Sequence, residues 1–315
     1  MQNYFNKMNL GIIFIVLFAF LGCGNISANS NNPEPLQISA FKDITAFVLE
    51  SAQKNGSINV NIKYVKNANE AHTDLTGQKA DLVFMSYDDT LSIALEENNS
   101  NAIAIMPIHG GILDFCGSLN IEQNQTNIGI DTKTGYARAL RSYLKMTYSH
   151  TDYNKLNFVF AGATNLRYEK LLRHELNATL LNPPYSYALG VNRMVRISDV
   201  FGAYQGVVVN ANKSWLATGT NKDRLYNFAK AYYQTVANIK NQPDKTIEEM
   251  QIYYGITKDE ATQSYNRLWE SDGLSLNFKF NDKALIVTEQ IFSFDANISI
   301  PNKRTWVDGF MLDLF

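Results

Sequence analysis

From residue 36 onward, short apolar runs alternate with stretches in which apolar positions recur every three or four residues. Leu36–Ala40 reads as a strand, and Ile44, Phe47, Val48 and Ala52 then fall on one face of a helix. Ile58 to Val65 alternates apolar and polar, as expected of a strand with one wet face. A short helix near 70–77 leads to Asp81-Leu82-Val83-Phe84-Met85, a strand that is almost wholly apolar, then to a helix over 88–97 and a strand over 102–108. Repeated strand–helix–strand units predict a largely parallel sheet with helices on its faces.

A second set follows a polar joint at residues 120–125. It comprises a strand at Asn127–Asp131, a helix over Gly135–Thr147, a strand over 156–161, a helix from Asn165 (as its cap) to Leu176, and a strand at Ala178–Leu181. Gln205–Asn210 reads as a path back to the first sheet. The remainder is mostly helical. Leu225, Phe228, Ala229, Tyr232, Val236 and Ile239 form one stripe, Thr246/Glu249 and Thr257/Glu260 have capping-box spacing, and Gly255 stands between their helices as a stop. A last helix is expected over 282–294, and Trp306–Phe315 closes the chain. The fold class is therefore α/β: two lobes joined by a double hinge, with facing strand ends forming a cleft. Ligands in open α/β sheets sit beyond the carboxyl ends of strands, where helix N-termini offer amides.

Composition narrows the function. The 315 residues are 45% hydrophobic, enough for packed cores, and 28 Lys plus Arg against 30 Asp plus Glu leave no basic excess for nucleic acid. Two cysteines, Cys23 and Cys116, cannot build a disulfide framework or a cysteine metal site. No His-Glu-x-x-His pair, Gly-x-Ser-x-Gly elbow or Walker-type phosphate loop is present, and no motif requires a cofactor or metal. No enzyme activity is expected.

The N-terminus points to export. Residues 10–22 are an uncharged apolar run behind Lys7, the pattern of a secretory signal and shorter than the ~18–20 residues of a spanning helix. Phe20-Leu21-Gly22-Cys23 resembles a bacterial lipoprotein box, with Phe20 standing where that box usually has Leu and Cys23 as the lipidated residue. The expected organisation is a signal peptide over 1–22, a polar Asn/Ser-rich tether over 23–35, lobe 1 over 36–120 and 211–315, and lobe 2 over 121–210. Processing would leave a net charge near −3, from 27 basic and 30 acidic residues.

Several stretches resemble the periplasmic solute-binding proteins of ABC importers, in the nitrate/sulfonate/taurine and thiamine-pyrimidine precursor group. These are Glu175 to Tyr185 with Pro183-Pro184, Asn127 to Tyr136, Ala80 to Ser86, Tyr204 to Val209, and Trp306-Val307-Asp308. The resemblance spans nearly the whole mature chain. It implies a type II periplasmic-binding-protein fold that captures a small organic solute, such as a sulfonate or pyrimidine, and hands it to an ABC permease. The protein would be a lipid-anchored monomer facing the periplasm or exterior. Alternatives on the same fold are a thiamine-pyrimidine-synthase-like enzyme and a sensor or adhesion lipoprotein.

Loop positions and the resemblance nominate Phe41, Ser86, Tyr87, Asp88 and His109 on one side of the cleft, and Thr132, Thr134, Gly135, Tyr136, Asn165, Asn182 and Tyr185 on the other. Gly110 and Gly162 accompany them. Each has a plainer reading: Asp88 suits a helix start and His109 a turn. Arg138 and Arg141 suit a solvated helix face more than an anion clamp, and Cys116 suits a buried apolar site.

Overall fold

The computed structural model describes residues 34–120 and 125–308. The proposed signal peptide, Cys23, most of the tether, part of the 120–125 joint and the last seven residues lie outside the described residues.

The first lobe opens with β1 (Leu36–Ala40), α1 (Ile44–Lys54), β2 (Val60–Tyr64), α2 (Ala68–Thr76), β3 (Leu82–Ser86), α3 (Tyr87–Leu91, continued by a π-helical turn Ser92–Glu96) and β4 (Ala102–Pro107). The second lobe holds β5 (Asp114–Gly117), β6 (Thr126–Ile130), α4 (Tyr136–Thr147), α5 (His150–Tyr153), β7 (Leu156–Phe160), α6 (Thr164–Leu172), β8 (Ala178–Leu181), β9 (Arg193–Arg196) and α7 (Ile197–Phe201). The chain then returns through β10 (Val207–Asn212), α8 (Lys213–Leu216), α9 (Asn221–Asn241), α10 (Pro243–Tyr254), α11 (Lys258–Arg267) and α12 (Asp282–Ala296).

Two five-stranded sheets result, in the orders β2-β1-β3-β10-β4 and β7-β6-β8-β5-β9. They are mixed: four strands of each run in one direction, as the alternation predicts, and one runs against them. β1, β2 and β3 run parallel, as do β6, β7 and β8, but β10 is antiparallel to β3 and β4, and β5 is antiparallel to β8 and β9. The reason is topological: a strand arriving from the other lobe enters at the carboxyl edge of its new sheet and must run against its neighbours. The crossings accordingly fall at residues 108–113 and 202–206, the first ahead of the polar joint at 120–125 and the second overlapping the start of the expected return path.

β3 is buried at every position because it lies between β1 and β10, which explains its unbroken apolar run. The predicted α9 stripe is buried, with Phe228 and Tyr232 against Phe84. Each such large side chain contributes about 1.5–3 kcal/mol on leaving water. Asp43 caps α1 by accepting from Thr45 N, and Thr257 with Glu260 forms the complete capping box of α11. The second expected box is absent. Pro243 starts α10 three residues before Thr246, whose hydroxyl donates instead to Ile239 O at 3.0 Å. Likewise α6 is capped at Ala163, not Asn165, and stops at Leu172. Gly255 ends α10 in the left-handed conformation, as expected.

The two crossings touch. Gly206 N donates to His109 O at 3.0 Å, and a Cβ on Gly206 would stand 2.2 Å from Gly111 N, so only glycine lets the paths run side by side. Beyond the hinge, α12 packs against α3 of the first lobe and α4 of the second. Trp306 is buried and donates to Tyr87 Oη at 2.7 Å, while Val307 pairs with Ala104 on the outer edge of β4.

Candidate functional site

The carboxyl ends of β1 and β3 face those of β6 and β7 across a cavity of about 50 Å³. Phe41, Asp43, Ser86, Asp89 and Val207 line it from the first lobe. From the second come Ile130 and Asp131 after β6, Thr134, Gly135 and Tyr136 at the start of α4, and Ala163, Thr164 and Arg167 at the start of α6. A single water needs roughly 10–15 Å³ of such space, so the cavity has room for about three to five water-sized groups.

Of the nominated residues, Phe41, Ser86, Thr134, Gly135 and Tyr136 are brought together on this cavity. The others are not on its wall, for local reasons. Tyr87 points into the core, its hydroxyl donating to Glu289 Oε1 at 2.8 Å. Asp88 is fully buried and reaches across to the second lobe, accepting from Gly135 N at 2.8 Å and Arg138 Nε at 3.1 Å. His109 belongs to the hinge: its Nδ1 accepts from Gly111 N at 3.0 Å, and burial pushes its pKa down to about 3. Thr132 braces the β6–α4 loop, accepting from Thr134 N, and Asn165 sits half-buried in the first turn of α6. Asn182 stands behind the wall and donates to Asp43 Oδ2 at 3.2 Å, joining the lobes. Tyr185 packs between Tyr168 and Tyr254 at centroid distances of 5.2 and 6.2 Å.

The charged wall residues were not nominated. Asp43, Asp89 and Asp131 each follow a strand end or open a helix, where aspartate is common as a cap, and Arg167 sits one turn inside α6, so their types carry no distinguishing signal. Position does: each lies within a few residues of a strand's carboxyl end or the helix after it, where such sites form.

Arg167 is buried and its guanidinium is largely spent on its own lobe. Nε and Nη2 donate to Leu180 O at 3.3 and 3.1 Å, Nη2 also to Thr164 Oγ1, and Nη1 to Gly162 O at 2.5 Å. Asp131 Oδ2 accepts from Ala68 N of the first lobe at 3.1 Å, while Oδ1 is shut from solvent without a hydrogen-bond partner. Burial is the main cause that pushes the Asp131 carboxyl up to about 6, against the pull of Arg167. Burial also raises Asp43. Asp89 is held below the ordinary carboxylate range: burial opposes this, but His72 Nε2 at 3.2 Å, Ser86 and Thr134 outweigh it. Tyr136 Oη is also shut in and unpartnered, and burial drives its pKa well up.

Arg138 and Arg141 form neither a solvated face nor an anion clamp. Arg138 is buried and bonds Asp88, Glu96 (2.7 Å) and Asp295, while Arg141 and Lys145 also hold Asp295 on α12. Further contacts join the lobes, among them Ala163 N to Lys66 O at 3.0 Å and Leu189 N to Glu260 Oε1 at 2.6 Å.

Comparison with solved structures finds likenesses over most of the chain, three of which follow. A ligand-binding component of an ABC-type import system from Staphylococcus aureus, with zinc bound, superposes at TM-score 0.69 and 14% identity, over 89% of this chain and 98% of that one. The alkanesulfonate-binding protein SsuA from Xanthomonas axonopodis pv. citri, bound to MOPS, does so at 0.63 and 12%, over 84% and 94%. A Candida albicans gene product described as exhibiting the generic periplasmic binding protein structural fold gives 0.61 and 10%, over 87% and 96%. This chain has the periplasmic-binding-protein fold. At these identities the likeness is one of fold. No family model matches the sequence, and no curated protein does. Among the described residues of this fold, no group of His, Cys, Asp and Glu is placed to hold a metal ion, and no helix is long and apolar enough to cross a membrane.

Proposed function

We propose that this protein is the solute-binding component of an ABC importer, capturing a small organic solute by closing its lobes. The observation that carries the reading is the cavity built jointly from the carboxyl ends of both sheets. A solute there is contacted from both sides only when the lobes meet, so its binding energy favours the closed arrangement over any open one. The paired crossings at residues 108–113 and 202–206 are the hinge of that motion. Phe41, Ser86, Thr134, Gly135 and Tyr136 are the contacts that both loop position and cavity lining support.

Two of the proteins sharing the fold, an import-system component and an alkanesulfonate-binding protein, support the transport reading. We further propose a signal peptide over 1–22, lipidation at Cys23 and a tether to residue 35, placing a monomer at a membrane surface beside its permease. A lipid chain with a flexible tether holds a domain at a membrane without spanning it. The test is a thermal-shift screen of the mature chain against small amines, sulfonates, pyrimidines and nitrate. A solute that binds the folded form must raise its melting temperature. A folded protein that no member of the panel stabilises overturns solute capture.

A further inference from the structure

The charge and hydrogen-bond inventory of the cavity discriminates between solute classes. Three carboxylates, Asp43, Asp89 and Asp131, and one guanidinium, Arg167, line it. Of the five N–H groups of Arg167, four are committed to Gly162 O, Leu180 O (twice) and Thr164 Oγ1, leaving one. The Ser86 hydroxyl is spent on Asp89 Oδ2 at 2.7 Å. The start of α4, where free amides and the helix dipole would favour an anion, is already met from the other lobe. Gly135 N donates to Asp88, and Asp89 Oδ2 lies 3.0 Å from where a Cβ on Gly135 would be. Two buried oxygens are left without partners, Asp131 Oδ1, which only accepts when ionised, and Tyr136 Oη, which can donate or accept, and each ionised carboxylate keeps spare lone pairs. The walls between are apolar, from Phe41, Ile130 and Val207. The other cationic group nearby, His72, sits against Asp89 and Glu97 behind the wall.

We propose that the cavity takes a small organic cation, an ammonium on a short apolar chain, whose N–H groups donate to Asp131 and Tyr136. This rests on the solute-capture reading and names its ligand class. A sulfonate brings three acceptors and a negative charge to a site that offers one spare guanidinium N–H, the Tyr136 hydroxyl and three carboxylates. Burying it there leaves acceptors facing acceptors. An alkylammonium supplies the missing donors, and the aromatic rings of Phe41 and Tyr136 tolerate a cation.

The test is calorimetric titration of the mature chain with propylammonium and with propane-1-sulfonate, equal in chain length and opposite in charge. Propylammonium is expected to bind at least tenfold more tightly, and Asp131→Asn to weaken it at least tenfold. Tyr136→Phe, which keeps the ring, serves if Asp131→Asn does not fold, and is expected to weaken binding severalfold. Preference for the sulfonate overturns the cation proposal and leaves solute capture standing. If neither binds while another solute stabilises the protein, the cation proposal alone falls; if nothing binds, both fall. Amine affinity unchanged in folded Asp131→Asn overturns the assigned contact.

Discussion

The Arg138 Nε and the Asp88 Oδ1 meet 3.1 Å apart across the two lobes, both side chains buried, and Gly135 N donates to the same oxygen at 2.8 Å. The pair, with Glu96 and Asp295, fastens α4 to α3 and α12. Removing one partner of such a pair strands a buried charge, at a cost of about 3–5 kcal/mol. Arg138→Ala is expected to lower unfolding free energy by about that much in urea titrations. The double variant Asp88→Asn/Arg138→Met should recover part of the loss. Equal stability of Arg138→Ala and the native chain would show that the contact does not fasten the lobes.

Gly135 has φ of +63° and ψ of −141°, a conformation essentially confined to glycine, and a Cβ there would press on Asp89 Oδ2 at 3.0 Å and Ser86 Oγ at 3.3 Å. Gly135→Ala is therefore expected to lower the melting temperature by several degrees and to weaken solute binding, since strain falls where the lobes meet. Unchanged thermal unfolding and affinity would contradict this.

The Asp131 carboxyl, pushed up to about 6 from 3.8, sets a pH dependence. Between about pH 4 and 6 the folded protein keeps a proton that the unfolded chain has lost. Stability from this group is therefore present below pH 4 and is lost as pH rises to 6. Asp131→Asn should make the fall in melting temperature across that window shallower than in the native chain. A parallel pair of pH profiles would show that Asp131 does not titrate there.

Much of the fold was legible because it is local. β1, α1 and the Thr257/Glu260 cap follow from spacing alone, and the run at β3 follows from its central place. β5 was not legible: Asp114-Phe115-Cys116-Gly117 is four residues long and shows no alternation. The antiparallel course of β5 and β10 comes from the lobe crossing, which no local pattern encodes. The same holds for the site. Arg138 finds Asp88 and Asp295 at separations of 50 and 157 residues, so a solvated helix face was the natural reading of its neighbourhood. Tyr136 was found because it opens a helix after a strand. Arg167 was missed because it sits one turn inside its helix.

The proposed lipidation puts the localisation on Cys23. Cys23→Ser is expected to move the protein from the membrane fraction to the soluble extracytoplasmic fraction, as read by fractionation and immunoblot. Continued membrane retention would point to an uncleaved apolar anchor.

Solution X-ray scattering of the mature chain, with and without a saturating amount of the solute that stabilises it most, addresses closure directly. The radius of gyration is expected to fall on solute addition, as the lobes close over the solute. Superimposable curves, with binding confirmed by calorimetry on the same sample, would contradict capture by lobe closure.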